Sequence, residues 1–210
     1  MKIPKMIFIG VIENKRDRIT FNLIKEILNR SSYKKYHQNK KGNMVVFNKD
    51  NNHIALIDIK PSLINDVVEL GIEFNILVHT FLNEEDYKNK YLKELCKDVE
   101  YIMLNCDEEQ WISLLDEKSK GIVITYGFSN KATINPSSYN IHEYIEMNLC
   151  LQRDIVPIEG DIIEPFEFPV ILSSKDKTDI YPGLAAISCS LVLGNNISEN
   201  NSPYFLDGKK

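Results

Sequence analysis

The chain of 210 residues carries a formal net charge of -5, with 43% hydrophobic and 26% charged residues. That balance excludes wholesale disorder and argues against a dedicated nucleic-acid binder, which would show a basic face. The longest apolar runs, such as Met6 to Ile12, fall far short of the roughly 20 residues that cross a bilayer, so no membrane span is expected and a cytoplasmic location is the default.

A length of 210 residues supports one sizeable core, in which a single domain would bury about 70% of its unfolded surface. The four cysteines, Cys96, Cys106, Cys150 and Cys189, are scattered without the paired spacing of a zinc site or redox motif. They read as reduced core or near-core residues.

Lys5 to Gly10 is apolar and β-branched and predicts the first strand. In Thr20 to Asn29 the residues Phe21, Ile24, Ile27 and Leu28 recur at three- and four-residue spacing, which predicts a helix with one buried face. Ser31 to Gly42, rich in lysine, asparagine and tyrosine, reads as a solvent-facing loop. His53 to Ile59 predicts a strand, and Ser62 to Leu70 a helix that Gly71 ends. Phe74 to Thr80 predicts a buried strand. Glu84 to Cys96 follows as one amphipathic helix, with Glu84, Glu85 and Asp86 in the first turn, where the helix dipole favours them. Tyr101 to Leu104, Glu108 to Leu115 and Ile122 to Tyr126 then give strand, helix and strand.

After Gly127 the rhythm changes. Alternating stretches broken by prolines between about residues 130 and 175 predict a small antiparallel β appendage. Pro182 to Leu193 predicts a helix whose Ala185, Ala186 and Ser188 permit close packing, with Gly194 as its stop. The polar residues 195 to 210 read as a frayed tail. The whole is an α/β fold: a mostly parallel sheet flanked by helices, one domain over residues 1 to 194.

Quoted in order, "FIGVIENKRDRITFNLIKEIL", "IALIDIKPS", "FNILVHTFLNEED", "YIMLNCDEEQ", "IVITYGFSNKATI" and "YPGLAAISCSLVLG" resemble the central, ATP-binding domain of the Mur ligase family. Their order and spacing carry the resemblance, which runs from about Ile7 to Gly194. It implies a P-loop NTPase-like core, and ATP and Mg²⁺ as the cofactors to consider. By this resemblance Gly10 matches the first glycine of the phosphate loop and Thr20 the last threonine. Glu13, Arg16, Asp17 and Arg18 stand where the loop glycine, second glycine, lysine and first threonine would lie.

Each of these changes removes a physical requirement. A side chain at Arg16 restricts a backbone that must curl so that its N–H groups face phosphate oxygens. Asp17 repels phosphates that a lysine would neutralise, at about 1 kcal/mol in water and about 4 at an effective dielectric of 20. Arg18 cannot ligate magnesium. Lys15, Arg16 and Arg18 still leave the loop cationic, so an anion could rest at the helix N-terminus.

Asp58 lies where the resemblance places a magnesium-binding glutamate. Its carboxylate could bind a hard cation, or could be a strand-end group satisfied by a neighbouring loop. His79 and Thr80 replace a threonine-asparagine pair, and His79 reads as a satisfied, partly buried histidine. Asn105, Asp107 and Tyr126 fall in the best preserved pieces and are candidates for adenosine contacts. Equally, Asp107 could cap a helix beginning at Glu108, with Gly127 supplying a positive φ. No lysine after "ITYG" matches the one carbamylated in many relatives.

The family joins an amino acid or peptide to a carboxylate through an acyl phosphate, using N- and C-terminal domains that the sequence is not expected to hold. A pocket for some other phosphorylated or anionic ligand at the cationic loop is one function in view, and two more rest on the resemblance. One is a catalytically degenerate homologue acting as a binding or regulatory protein, with a cell-wall enzyme as a possible partner. The other is the ATP-binding part of a split amide ligase whose partner polypeptide supplies the remaining domains.

Overall fold

The computed structural model describes residues 5–14, 17–50, 52–195, 197 and 204–207. The first strand is β1 (Lys5–Glu13), followed by helix α1 (Ile19–Arg30), an antiparallel pair β2 (Lys34–Gln38) and β3 (Met44–Lys49), and then β4 (Asn52–Ile59). A short 3-10 turn leads into α2 (Ile64–Glu69), β5 (Ile76–Thr80), the helical turn α3 (Glu84–Tyr87), α4 (Lys90–Lys97), β6 (Tyr101–Asn105) and β7 (Ile122–Tyr126). The remainder is β8 (Ile134–Ile141), β9 (Ile145–Leu151), β10 (Phe166–Leu172), α5 (Ile180–Val192) and β11 (Tyr204–Leu206).

All these strands join one sheet in the order β11-β10-β9-β8-β7-β6-β5-β1-β4-β3-β2. The centre, from β4 through β1, β5 and β6 to β7, is parallel. The stretch after Gly127 is antiparallel, as its alternation suggests, and β8 attaches it to the end of β7 by a single register pair, Tyr126 with Ile134.

Alternating side chains of the central strands feed two cores. Ile7, Ile9 and Val11 of β1 point with Ile76, Val78 and Met103 toward α1 and α5. Ile12, Leu77, Ile102 and Leu104 point toward the opposite layer of α2 and α4. Gly10 belongs to the second face: a Cβ there would come within 2.9 Å of Ile59 and Leu77 side-chain carbons.

Several elements depart from the sequence expectation, each for a local reason. β1 runs on through Val11, Ile12 and Glu13, because those residues pair with β4 on one side and β5 on the other. Residues 34–38 form a strand within the expected loop; all five are exposed at the sheet edge, so no apolar alternation marks them. The expected single helix over 84–96 breaks before Lys90, where the Asn89 side chain accepts the Tyr91 N–H at 3.0 Å and starts a new helix. The helix expected from Glu108 is absent and only Trp111–Leu114 forms a 3-10 turn. There the Asn105 side chain holds the Asp107 N–H at 3.1 Å, and Glu108 turns inward toward β5. Within the expected tail, residues 204–206 lie parallel to β10 with Leu206 buried. Among the described residues no helix is long and apolar enough to cross a membrane, and the four cysteines are free thiols.

Candidate functional site

β1 has β4 on one side and β5 on the other, while the chain between them passes through α1 and the β2–β3 pair. The strand order therefore reverses at β1, so the crevice position at which open α/β sheets take their ligands lies beyond the carboxyl ends of β1, β4 and β5. Glu13 and Thr80 end β1 and β5, Asp58 is the next-to-last residue of β4, and Asn105 and Tyr126 end the neighbouring β6 and β7.

The start of α1 faces this crevice. Arg18 precedes the helix in the left-handed region, at φ 50°, and turns the chain so that the first helical N–H groups point back at β1. Those N–H groups meet the fully buried Glu13 carboxylate: Ile19 N donates to Oε1 at 2.9 Å and Thr20 N to Oε2 at 3.0 Å. Each carboxylate oxygen accepts one of these two backbone N–H groups. Burial pushes the Glu13 pKa up, and the Thr20 contacts, the Lys60 ammonium and the Ile19 N–H offset part of that. The Thr20 hydroxyl lies 3.0 Å from that of Thr80, tying α1 to the end of β5.

Asp58 sits beside this arrangement, almost fully buried. Its Oδ2 is 4.0 Å from an Arg18 guanidinium nitrogen and its Oδ1 3.8 Å from Lys60 Nζ. Arg18 also donates to the Gly42 carbonyl at 2.9 Å, and Lys60 to the Glu13 carbonyl at 3.4 Å. Asp58 Oδ1 has no hydrogen-bond partner. Burial raises the Asp58 pKa against the pull of Lys60 and Arg18.

A second network closes the crevice over β5, β6 and β7. His79, fully buried, places Nε2 2.8 Å from the Tyr87 hydroxyl and 3.5 Å from Glu108 Oε2, and its Nδ1 has no partner. The Tyr87 hydroxyl donates to Glu108, which also accepts the Phe81 N–H and the Asn105 amide, both at 3.1 Å. The buried Tyr126 hydroxyl donates to the His79 carbonyl.

Asp107 faces outward, accepting the N–H groups of Phe128 at 2.6 Å and Ser129 at 3.2 Å and the Tyr181 hydroxyl at 3.2 Å. Burial and Asp107 push the Tyr181 phenol up to about 12. Above Asp107, Phe128 packs edge-to-face with Tyr139 and Tyr181, and Lys177 lies over the Phe128 and Tyr139 rings at 5.3 and 5.1 Å.

The sequence candidates thus fall into two groups. Arg18, Thr20 and Asp58 meet at the start of α1, and Asn105, Asp107 and Tyr126 meet at the ends of β6 and β7. Gly10 is not in the crevice; it lies inside β1, three residues short of its end. Lys15 and Arg16 lie outside the described residues. Asp107 caps no helix and instead secures the turn after Gly127, whose φ is +151°. Sequence reasoning missed Glu13 as an interior group, together with Lys60, Tyr87 and Glu108. The signal for Glu13 was available: "FIGVIE" stays β-branched up to it, so the strand could be followed to the glutamate.

These residues do not fit a magnesium-bound triphosphate. The helix N–H groups that would face phosphate oxygens already hold the Glu13 carboxylate. A cleft of about 640 Å³ beside the start of α1 is lined by Asp17, Glu143, Asp176 and Asp179 with Lys175, a predominantly acidic wall for a polyanion to enter. Among the described residues no group of three or more histidine, cysteine, aspartate or glutamate side chains is placed to hold a metal ion.

No protein-family model and no curated protein matches the chain. Solved structures do match. A UDP-N-acetylmuramoylalanyl-D-glutamyl-2,6-diaminopimelate–D-alanyl-D-alanyl ligase from Acinetobacter baumannii aligns with TM-score 0.68 and 9% identity, over 91% of this chain and 44% of its own. The UDP-N-acetylmuramate-alanine ligase MurC from Thermotoga maritima aligns with TM-score 0.60 and 14% identity, over 93% of this chain and 43% of its own. A pseudomurein peptide ligase type C from Methanothermus fervidus gives TM-score 0.60 and 15% identity, over 94% and 48%. The chain spans less than half the length of each of these ligases, and over that part it has their fold, a Mur ligase-like central domain.

Proposed function

We propose, for a chain folded as a Mur ligase-like central domain, that it is a binding or regulatory protein without nucleotide chemistry at its crevice. The observation that carries this is the Glu13 carboxylate seated on the Ile19 and Thr20 N–H groups. Those donors are what a phosphate at the start of α1 would require. The ligases of the same fold are named for murein and pseudomurein precursors, which favours a cell-wall enzyme in the cytoplasm as the partner. Phe128, Tyr139 and Tyr181 with Lys177 supply an amphipathic surface at the same end of the sheet, of a composition that suits protein contacts.

Isothermal titration with ATP and Mg²⁺ tests this. No heat at millimolar ATP from folded protein is the expected result. Micromolar binding that disappears in Asp58→Ala would overturn it.

A second reading, the ATP-side half of a split ATP-dependent acid-amino acid ligase, is favoured by one feature. Asp58 Oδ1 is buried without a hydrogen-bond partner, as a cation ligand would be. It predicts ligation only when a polypeptide carrying the complementary domains is added, and a pull-down that recovers no such polypeptide counts against it.

A further inference from the structure

We infer that Glu13 is a tethered anion: its carboxylate occupies an oxyanion seat at the start of α1, and removing it uncovers a seat for a free oxyanion such as inorganic phosphate. The inference rests on the proposed loss of nucleotide chemistry and deepens it, by assigning the place of the missing phosphate to a side chain of this chain.

The seat is built and occupied. Its donors are the N–H groups of Ile19 and Thr20, at 2.9 and 3.0 Å from separate oxygens of one carboxylate. These are the first N–H groups of a twelve-residue helix, which have no carbonyl partner within the helix and carry its positive end. Thr20 is fixed in turn by Thr80, and Lys60 bonds the Glu13 carbonyl.

The occupant is equally fixed. Glu13 is the last residue of β1 and pairs with Thr80, so its Cα is held by the centre of the sheet rather than by a loose loop. It is fully buried, whereas a carboxylate with no role in the interior would stay in water. Arg18, at φ 50°, is the turn that brings the helix start over it.

A solute anion therefore meets a seat already holding a negative charge that cannot diffuse away. Without that charge, the same donors present what an oxyanion requires. Thr20 and Ile19 are kept in place by contacts that do not involve Glu13: the Thr80 hydroxyl for the one and the packing of α1 against α5 for the other.

The test is thermal unfolding of the full chain and its Glu13→Ala variant in increasing inorganic phosphate, with chloride balancing ionic strength. Glu13→Ala should unfold at a lower temperature and recover saturably, by about 3–6 °C once phosphate is roughly ten times its dissociation constant, while the wild type stays flat. A folded Glu13→Ala protein indifferent to phosphate overturns the inference, as does a wild type that responds equally. If Glu13→Ala does not fold, the wild type decides by NMR. The Ile19 and Thr20 amide resonances must shift together with the titration of the Glu13 carboxyl, and amides that ignore it overturn the inference. A wild type that ignores ATP alongside a Glu13→Ala variant that ignores phosphate removes only the tethered anion. A wild type that binds Mg²⁺ and ATP in micromolar concentration removes the reading beneath it.

Discussion

Replacing Glu108 by alanine should destabilise the protein more than any single exposed-carboxylate change. Its side chain, about 20% exposed, accepts hydrogen bonds from the Tyr87 hydroxyl, the Phe81 N–H and the Asn105 amide. Bonds to a charged acceptor are each worth about 1.5–3 kcal/mol, so three at face value would total about 5–9 kcal/mol. Water entering the partly open side and the non-additivity of a shared acceptor cut this to about 2–4 kcal/mol. What remains is mainly the cost of stranding the amide of the buried Asn105, since the Tyr87 hydroxyl keeps His79 Nε2 at 2.8 Å as a partner. For a chain of this size that corresponds to a fall of about 5–15 °C in Tm, read by far-ultraviolet circular dichroism. The companion variant Tyr87→Phe completes a double-mutant cycle with an expected coupling of about 1 kcal/mol or more. A Glu108→Ala protein within about 0.5 kcal/mol of wild type, or a cycle without coupling, would refute the network as a source of stability.

Three further outcomes are expected. Gly127→Ala would place a Cβ 2.8 Å from the Asp107 carboxylate at a φ of +151°, costing about 1–3 kcal/mol in urea unfolding; an unchanged midpoint refutes the strain. Thr80→Val leaves the buried Thr20 hydroxyl without its 3.0 Å partner and should cost about 1–2 kcal/mol, with Thr20→Val adding less than its own single effect; full additivity refutes the pair.

The third outcome is a pair of opposed pH dependences. Burial raises the folded-state pKa of Glu13, so its contribution is complete below the unfolded value, about 4.3, and is lost as pH rises through the folded value. Burial also acts to raise Glu108, but the contacts with His79, Tyr87 and Asn105 together hold it below its usual value, so its contribution is complete above that same unfolded value and is lost as pH falls. The stability of wild type relative to Glu13→Gln should therefore shrink as pH rises, and relative to Glu108→Gln as pH falls. Matching trends in the two variants refute the assignment.

The parallel centre was legible because its strands are largely interior and read as apolar, mostly β-branched runs: "HIALIDI", "YIML" and "IVITY" mark β4, β6 and β7. Residues 34–38 were not, since an edge strand facing water on both sides carries no apolar period. Residues 108–115 have a helical spacing that tertiary hydrogen bonds through Glu108 and Asn105 override. At the crevice, motif order located Thr20, Asp58, Asn105, Asp107 and Tyr126 at the carboxyl edge of the sheet. The strand can be followed to Glu13 in the sequence, but the use of its carboxylate was hidden, because the resemblance to a glycine-bearing loop placed it outside the strand. Whether its carboxylate meets a helix depends on the Arg18 turn, which no spacing rule specifies.

The central place of β1 has a consequence during synthesis. Its partners β4 and β5 follow it by tens of residues in the chain, so one of its edges stays unpaired until Ile59, and the other until Thr80, has left the ribosome. Through that interval "MIFIGVI" is an uncovered, uncharged, β-prone segment, of the kind that recruits other nascent chains. The yield of native protein should therefore depend on the pace of translation between codons 13 and 80 and on chaperones that hold β1 until its neighbours arrive.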